Sequence, residues 1–345
     1  MPEDQPQRSS EHRRAWYNPL AQGLGPGGRL WRSLLLLVLL YFLSAPLVMW
    51  YEYQRAFPPF FDPRPAPQAK DGQPSAPPPA GAVFADTLIT LSRRMLVAWL
   101  PNDVIYPSIF LDNPQNFQLG ELEVVRYATR VLRDKLSRQR TTDSIDRHAD
   151  QAFTNFSNNP RLWIFPAAEA KFSSGVQALL AYRQGLGKGG SHFYARADNF
   201  IELLDQLTSL LGGVDTRLAN APRDSGERLS VETAGDSYSQ GERRQKVQTP
   251  WREIDDNFYF ARGVAYALRE VLLAVRWEFR EVIRIKRSGE LVDTIIEELA
   301  LADFEPLVVL NGSRDSIFAN HSLKLMATLE NVRQKMINLQ QMLER

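Results

Sequence analysis

Six arginines between residues 262 and 287 are spaced so that they fall on one face of a single predicted helix. The six are Arg262, Arg269, Arg276, Arg280, Arg284 and Arg287. Guanidinium groups form paired hydrogen bonds with phosphates and carboxylates, and arginines four residues apart repel each other, so helix stability does not explain the pattern. This arginine face predicts a surface that binds an anionic polymer, lipid headgroups or an acidic partner. The alternative is a solvated face whose arginines pair with acids of a neighbouring helix, such as Glu297, Glu298 or Asp303.

The segment Trp99–Phe117 carries a second set of candidate residues. It combines aromatic residues with three prolines, and an apolar connection of this length has to pack on something. One interpretation is a covering segment over one end of the helices. The other is a binding surface to which Asp103 and Asp112 contribute polar contacts. Because carboxylates also act as general acids and bases, a hydrolase site would form if the fold brought these two together with His148 or Glu169.

Several other kinds of chemistry find no support in the sequence. The chain has no cysteine, and its four histidines form no paired ligand motif of the His-Glu-x-x-His type. The glycines of Gly185–Gly190 look like a phosphate loop, but they follow a predicted helix rather than a strand, so a helix stop is the better interpretation. The formal net charge of +1 gives no general attraction to nucleic acid. We therefore expect no metal, no cofactor and no nucleic-acid partner, and an enzyme is the less favoured class.

Helices must position these residues, because apolar side chains recur at helical spacing through most of the chain after residue 83. The clearest stripes run over Phe84–Met95, Leu122–Leu136, Phe193–Leu211 and Leu325–Leu343. Alternating steps of three and four residues are typical of antiparallel bundles. The sequence therefore predicts an all-α fold: a single N-terminal transmembrane helix, described below, and a soluble multi-helix bundle.

Prolines, glycines and capping residues predict where the helices begin and end. A long connection is predicted over Leu100–Gly120 and a polar loop at about 214–249. Two predicted helices are bounded at one end by a particular residue: the one over Asp143–Ser157 is capped by Thr142, and one ends at Gly212–Gly213. The other predicted helices run from Pro166 to about Ala181, over Glu253–Arg287 and over Glu290–Ala302. The stripe Leu325–Leu343 spans about three heptads. We interpret it as part of the bundle's own core, and the alternative is a seam that joins two copies into a homo-oligomer.

Residues Ser33–Tyr51 form an apolar stretch without a charge. A helix needs about 20 apolar residues to cross a bilayer, and aromatic residues at both ends of the stretch suit the headgroup region. We interpret the stretch as a transmembrane helix in contact with the lipid bilayer. The alternative is a signal peptide cleaved near Ser44–Ala45, which Pro46 disfavours. Arg29 and Arg32, which precede the stretch, predict a cytoplasmic N-terminus and a C-terminal domain across the membrane.

On this interpretation the chain divides into four parts. They are a disordered cytoplasmic tail (1–32), the transmembrane helix (33–51), a proline-rich linker (52–82) and a helical soluble domain (83–345). The prolines of the linker exclude helix and sheet and predict a semi-rigid spacer that holds the domain away from the bilayer. The alternative is a polyproline ligand for a groove-binding module.

The run Trp99–Phe117, continued by Gln118–Tyr127 and taken with the apolar stretch, resembles an uncharacterised family of Gram-negative inner-membrane proteins, a domain of unknown function. The resemblance extends from the apolar stretch to the C-terminus. It implies a bacterial inner membrane and a periplasmic domain, and it supplies no activity and no catalytic residues. We therefore expect a single-pass membrane protein that serves as a binding or scaffold module of the cell envelope, with an envelope protein or an anionic polymer as partner. The alternative is an envelope hydrolase that uses the carboxylates near residues 99–117.

Overall fold

The computed structural model describes residues 26–65, 69–70, 73–74, 77–103, 106–140, 142–219, 254–306, 309–310 and 319–345. Nearly all regular structure in those residues is helical, so the predicted all-α class is confirmed. The helices are α1 (Pro26–Ala56), α2 (Ala82–Leu96), α3 (Asp112–Val131), α4 (Arg147–Phe156), α5 (Ala168–Lys188), α6 (Ala197–Ala219), α7 (Ile254–Glu278), α8 (Arg280–Ile285), α9 (Gly289–Ala302) and α10 (His321–Glu344). A 3₁₀ turn (Ser108–Phe110) precedes α3, and a π-helical segment (Leu132–Leu136) continues it. The two-residue strands β1 (Ala69–Lys70) and β2 (Gln73–Pro74) pair antiparallel.

The chain forms two compact units, Met1–Val48 and Met49–Arg345. The described part of the first unit is most of α1, whose side chains over Leu34–Leu43 are all exposed. Among the described residues, α1 is the one helix that is long and apolar enough to cross a membrane by length and composition. It begins earlier and ends later than the predicted stretch Ser33–Tyr51, because the arginine and glutamate residues that flank the stretch are themselves good helix formers.

The second unit is a bundle whose long helices run between two ends of the domain. We name one the α1 end, because it carries the last turns of α1 with the starts of α3, α5 and α7; the opposite one is the α8 end, where α8 joins α7 to α9. α3 packs most extensively against α7, α6 against α10, and α5 against both α2 and α4. The core is continuous and aromatic, with Phe84, Phe117, Phe200 and Tyr266 fully buried.

α3 and α7 cross with their backbones in close contact at Gly120 and Gly263. A Cβ atom on Gly120 would lie 2.1 Å from the carbonyl oxygen of Phe260, and one on Gly263 would lie 2.0 Å from that of Phe117. A side chain at either position would therefore push the two helices apart. The close crossing also brings Glu121 of α3 into the interior, within electrostatic range of α7.

The first part of the proline-rich segment lies on the bundle. Residues Phe57–Arg64 form a strap across α7 and α2, and the rings of Phe57, Phe60 and Phe61 pack against the core. This differs from the predicted spacer, because prolines remove backbone donors but leave the aromatic side chains between them free to pack. Residues 66–68, 71–72 and 75–76 of the predicted linker lie outside the described residues.

Several helix limits differ from the predicted ones, and packing is the common reason. α3 already begins at Asp112, so the predicted connection Leu100–Gly120 is too long. α5 continues through two glycines to Lys188 and ends at Gly189, whose φ is +73°. α6 continues through Gly212–Gly213, because buried leucines on both sides outweigh a cost of about 1 kcal/mol per helical glycine.

The predicted long helix Glu253–Arg287 is two helices in the structure. α7 and α8 meet at Phe279, whose backbone leaves the helical conformation and whose ring stacks on Phe200 at a centroid distance of 4.8 Å. α4 also begins later than predicted. Asp146 caps it in place of Thr142, because its carboxylate accepts two backbone N–H groups of the first turn.

The apolar stripe of α10 is used inside the chain. Its residues Leu325, Leu329, Val332, Met336, Leu339 and Leu343 are at most 2 % exposed, and α10 packs against α6 and α9. The stripe is therefore not available as a seam between two copies, which corrects that alternative. Of the predicted polar loop, Val214–Ala219 belongs to α6, and residues 220–253 lie outside the described residues.

Candidate functional site

The structure divides the predicted arginine face at the break between α7 and α8. The α7 arginines, Arg262, Arg269 and Arg276, pair with acids. The other three, Arg280, Arg284 and Arg287, are exposed at the α8 end. The two groups belong to different helices, because the backbone at Phe279 leaves the helical conformation.

Arg262 is buried at the α1 end between two acids and an aromatic ring. Its Nε donates to Oδ1 of Asp303 at 2.6 Å, and Nη1 lies 3.1 Å from Oε2 of Glu305. Its guanidinium lies 4.8 Å from the ring centroid of Phe57 in the strap. The pairing with Asp303 is the one that the alternative interpretation of the arginine face predicts. It fixes the end of α9 and the start of the strap to α7.

Two further arginines hold the rest of the strap. The guanidinium of Arg269 lies 4.1 Å from the ring centroid of Phe60, and that of Arg94 lies 4.6 Å from the centroid of Phe61. Arg94 also donates to the carbonyl oxygen of Pro59 at 2.6 Å. Each cation–π contact of this kind contributes about 0.5–2 kcal/mol, more as water is excluded. Arg94, Arg262 and Arg269 therefore hold the strap on the bundle.

Two glutamates lie buried beneath the strap. Oε1 of Glu270 accepts from Nη1 of Arg269 at 2.7 Å and from the backbone N–H of Phe61 at 3.3 Å. Burial raises the pKa of Glu270 to about 7, against the opposing effect of Arg269. Burial also raises the pKa of Glu121 well above its usual value, although Arg94 lies within electrostatic range. Neither carboxylate oxygen of Glu121 has a hydrogen-bond partner among the described residues.

This buried pair can hold protons at pH values where an exposed glutamate is ionised. Glu121 and Glu270 do not line either of the two clefts discussed below, and the strap covers them, so they act on the fold and not on a substrate. Neither residue belongs to a recognisable sequence motif. The signal that finds them is positional: each glutamate occupies a core position in an apolar stripe, where charged residues are rare.

Asp103 lies at the α1 end in a group of acids with Glu52 and Glu169. The hydroxyl of Ser108 donates to Oε2 of Glu52 at 2.8 Å and also contacts Asp103. The amide of Asn102 donates to Oε2 of Glu169 at 2.8 Å. Burial raises the pKa of Asp103, and the charges of Glu52 and Glu169 raise it further. The structure therefore brings Asp103 and Glu169 together.

Asp112 and His148 are not part of that group. Asp112 starts α3 and lies within electrostatic range of Asp255 at the start of α7, whereas His148 lies in the first turn of α4, toward the α8 end. The predicted hydrolase constellation is therefore not assembled. In the part of the chain that the structure describes, no three histidine, aspartate or glutamate residues are grouped so that they could hold a metal ion.

A polar cleft of about 630 Å³ opens at the α8 end. Its lining is Asp134, Lys135, Arg138, Gln139, Arg140, Thr142, Arg196, Asp198, Asn199 and Glu202. The π-helical segment at the end of α3 contributes the first two of these, and such segments are frequent at functional sites. Lys135 lies 3.3 Å from Glu202, and Arg196 lies 2.6 Å from Asp198, so part of the charge is paired within the cleft. A smaller cleft of about 250 Å³ lies between α3 and α4.

The cleft lies at the same end of the domain as the exposed arginines of α8. Phe200 follows the cleft residue Asn199 and stacks on Phe279, which directly precedes Arg280. The segment Arg280–Arg287 holds four basic residues and one acid. The α8 end thus carries basic side chains from several elements.

Comparison with curated proteins and with solved structures finds no match. The description of one protein family, uncharacterised proteins conserved in bacteria, matches residues 26–345. The match begins with α1 and runs to the end of α10, so it includes the apolar helix, the strap and the whole bundle. The resemblance to an uncharacterised bacterial family is therefore confirmed, and the chain belongs to DUF2333, a family of uncharacterised proteins conserved in bacteria.

Proposed function

We propose that this protein is a single-pass protein of the bacterial inner membrane whose helical domain binds an anionic envelope component. The observation that carries the proposal is α1. Its charge-free stretch, Ser33–Tyr51, is long enough for a bilayer, and its side chains over Leu34–Leu43 are exposed in the folded chain. In water that exposure is unfavourable by about 25 cal/mol per Å² of apolar surface.

The last turns of α1 join the helix to the domain. Ala56 is buried against Leu100 and Leu111, and Met49 packs on the same cluster. The hydroxyl of Tyr53 also donates to the carboxylate of Glu305. These contacts all lie after Ala45, so they show that the helix runs into the domain core; what disfavours cleavage is Pro46 directly after the predicted site and the apolar run that continues past it.

The orientation is that the N-terminus is cytoplasmic and the bundle periplasmic, because Arg29 and Arg32 precede the span. The chain has no natural cysteine, so single cysteines test this directly. With Ser174→Cys in the domain and Ser10→Cys in the tail, a membrane-impermeant maleimide should label only the first in cells with a permeabilised outer membrane. Alkaline carbonate should leave the full chain in the membrane pellet. Release by carbonate, or labelling of the Ser10→Cys variant alone, would contradict the proposal.

The binding role rests on the exposed arginines of the α8 end. Arg284 pairs with Glu281 although both side chains are largely exposed, so the pair is weak and open to exchange with another anion. Guanidinium groups suit phosphates and carboxylates. Anionic polymers bound in this way lose affinity as salt rises.

The test uses the full chain in zwitterionic nanodiscs with polyphosphate and poly-L-glutamate as probes. Changing Arg280, Arg284 and Arg287 together to Gln should weaken binding at low salt by about tenfold or more, taking about 0.5 kcal/mol or more per lost contact. The matched control changes three exposed arginines outside α8, Arg64, Arg93 and Arg130, and should leave binding nearly unchanged. Equal loss in both variants, or no binding of either polymer by the natural chain, would remove the support for an anionic partner.

A further inference from the structure

Four consecutive apolar side chains are exposed in the loop between α4 and α5. They belong to Leu162, Trp163, Ile164 and Phe165, and Phe165 is 95 % exposed. Single exposed apolar residues are normal on a protein surface, but a contiguous run of large ones marks an interaction site. No charged residue occurs between Leu162 and Ala168, while Arg161 directly precedes the run.

The backbone holds this loop in a defined and strained shape. Phe165 has a φ of +47°, in the left-handed region that bulky residues rarely adopt. The carbonyl oxygen of Leu162 accepts from the backbone N–H of Ala168 and from the amide of Asn102, both at 2.9 Å. Strain of this kind persists only where the surroundings enforce it, and it concentrates at functional positions. The loop is therefore built to present its side chains outward.

The loop lies at the α1 end of the domain. Asn102, which bonds to Leu162, is two residues from Leu100, and Leu100 packs in the cluster with Met49 and Ala56. Two residues span at most about 7 Å between Cα atoms. The indole N–H of Trp99 also donates to the carbonyl oxygen of Pro160 at 3.1 Å. The exposed run is thus close to the point where the chain leaves the domain toward the charge-free stretch.

We propose that the loop Leu162–Phe165 inserts into the surface of the same bilayer that α1 crosses, as a second membrane contact of the domain. The inference rests on the proposed function, because Met49 lies at the bilayer boundary only if α1 spans it. Tryptophan and phenylalanine suit the headgroup and upper acyl region, and Arg161 is placed to reach lipid phosphates. The two contacts, α1 and the loop, fix the tilt of the bundle on the membrane.

The experiment uses the full chain with a single cysteine that carries an environment-sensitive fluorophore. The vesicle lipids bear a quencher at a shallow acyl position or, in a second set, near the ends of the acyl chains. Ile164→Cys reports on the loop, and Leu40→Cys reports on α1. The matched control is Ile285→Cys, an exposed isoleucine of α8. α7, with 25 residues, separates the two ends of the domain by about 37 Å, at 1.5 Å per residue.

We expect the label at residue 164 to lose most of its emission to the shallow quencher and the label at residue 40 to the deep one, while the label at residue 285 keeps its emission with both. Adding Trp163→Ser and Phe165→Ser to the Ile164→Cys chain should restore emission and leave thermal unfolding unchanged, since both side chains are exposed. Emission at residue 164 equal to that at residue 285, with residue 40 quenched, overturns the loop insertion and leaves the anchor intact. A blue shift without quenching at residue 164 indicates cover by protein and also overturns it. An unquenched label at residue 40 overturns the proposed function itself.

Discussion

The two ends of the helical domain use arginine in opposite ways. At the α1 end and under the strap, Arg262 and Arg269 are largely buried, pair with acids and lie against aromatic rings. At the α8 end, Arg280 and Arg284 are exposed, and the ion pair of Arg284 with Glu281 lies in water. The sequence pattern treats all of them as one stripe.

The difference shows that the arginines on the strap side stabilise the fold, whereas those at the α8 end remain accessible from solvent. A buried arginine that loses its partner leaves an uncompensated charge, at a cost of about 3–5 kcal/mol, whereas an exposed pair contributes about 0–1 kcal/mol. Substitutions at the strap side should therefore act on folding, and substitutions at the α8 end should act on binding. Each prediction below tests that contrast through the stability of the full chain.

The largest effect is expected at the crossing of α3 and α7. Gly120→Ala places a methyl group 2.1 Å from the carbonyl oxygen of Phe260, so the helices must separate, and unfolding should become easier by about 3 kcal/mol or more. Gly187→Ala is the matched change in α5 near the α8 end, where no described atom lies within 4 Å of the added methyl. It should stabilise the helix by about 0.5–1 kcal/mol. Thermal unfolding followed by circular dichroism measures both, and equal effects would refute the contrast.

The fold class and the core role of α10 are predictable from sequence because they depend on local spacing. The apolar stripe of α10 consists of the residues that are buried in the structure, and the charge-free stretch lies within α1. The break at Phe279 is not predictable in this way, because it depends on a ring stack with Phe200, far away in the chain. The strap is not predictable for the same reason. Phe60 packs against Arg269 and Tyr266, which lie about 200 residues later in the chain.

The free energy of unfolding should also depend on pH, because the pKa of Glu270 is raised in the folded chain. Its pKa is about 7 in the folded chain and near 4.5 when unfolded, so the folded state holds the proton more tightly. The stability that this proton contributes is complete below pH 4.5 and is lost as the pH rises through 7. Between pH 5 and pH 8 the loss should be about 2–3 kcal/mol, and burial of Glu121 adds to it in the same direction.

Denaturant unfolding of the full chain across pH 5–8 measures this slope. Glu270→Gln keeps the shape and removes one titration, so the slope should become smaller by the contribution of Glu270, while Glu121 and Asp215, whose pKa values burial also raises, keep theirs. Glu281→Gln in α8 is the matched control and should leave the slope unchanged, because that side chain is exposed. A natural chain whose stability is level over this range, or rises with pH, would show that water reaches Glu270.

The smallest of the three effects is expected from the strap. Phe60 stacks on Tyr266 at a centroid distance of 5.4 Å and covers Arg269, so Phe60→Ala should destabilise the domain by about 2 kcal/mol. Phe110→Ala removes an exposed ring outside the strap and should change stability by at most about 0.5 kcal/mol. Urea unfolding of the two variants gives both values.

Phe60→Ala should also change how stability depends on pH, which a loss of packing alone would not do. Phe60 is next to Phe61, whose backbone N–H donates to Glu270, so loosening the strap admits water to that carboxylate. Because desolvation is the main cause of the raised pKa of Glu270, hydration should lower that pKa toward 4.5 and flatten the dependence of stability on pH. Phe60→Ala should therefore have a smaller pH slope than the natural chain, whereas Phe110→Ala keeps it. A destabilised Phe60→Ala variant with an unchanged slope would mean that the helices alone, and not the strap, keep water from Glu270.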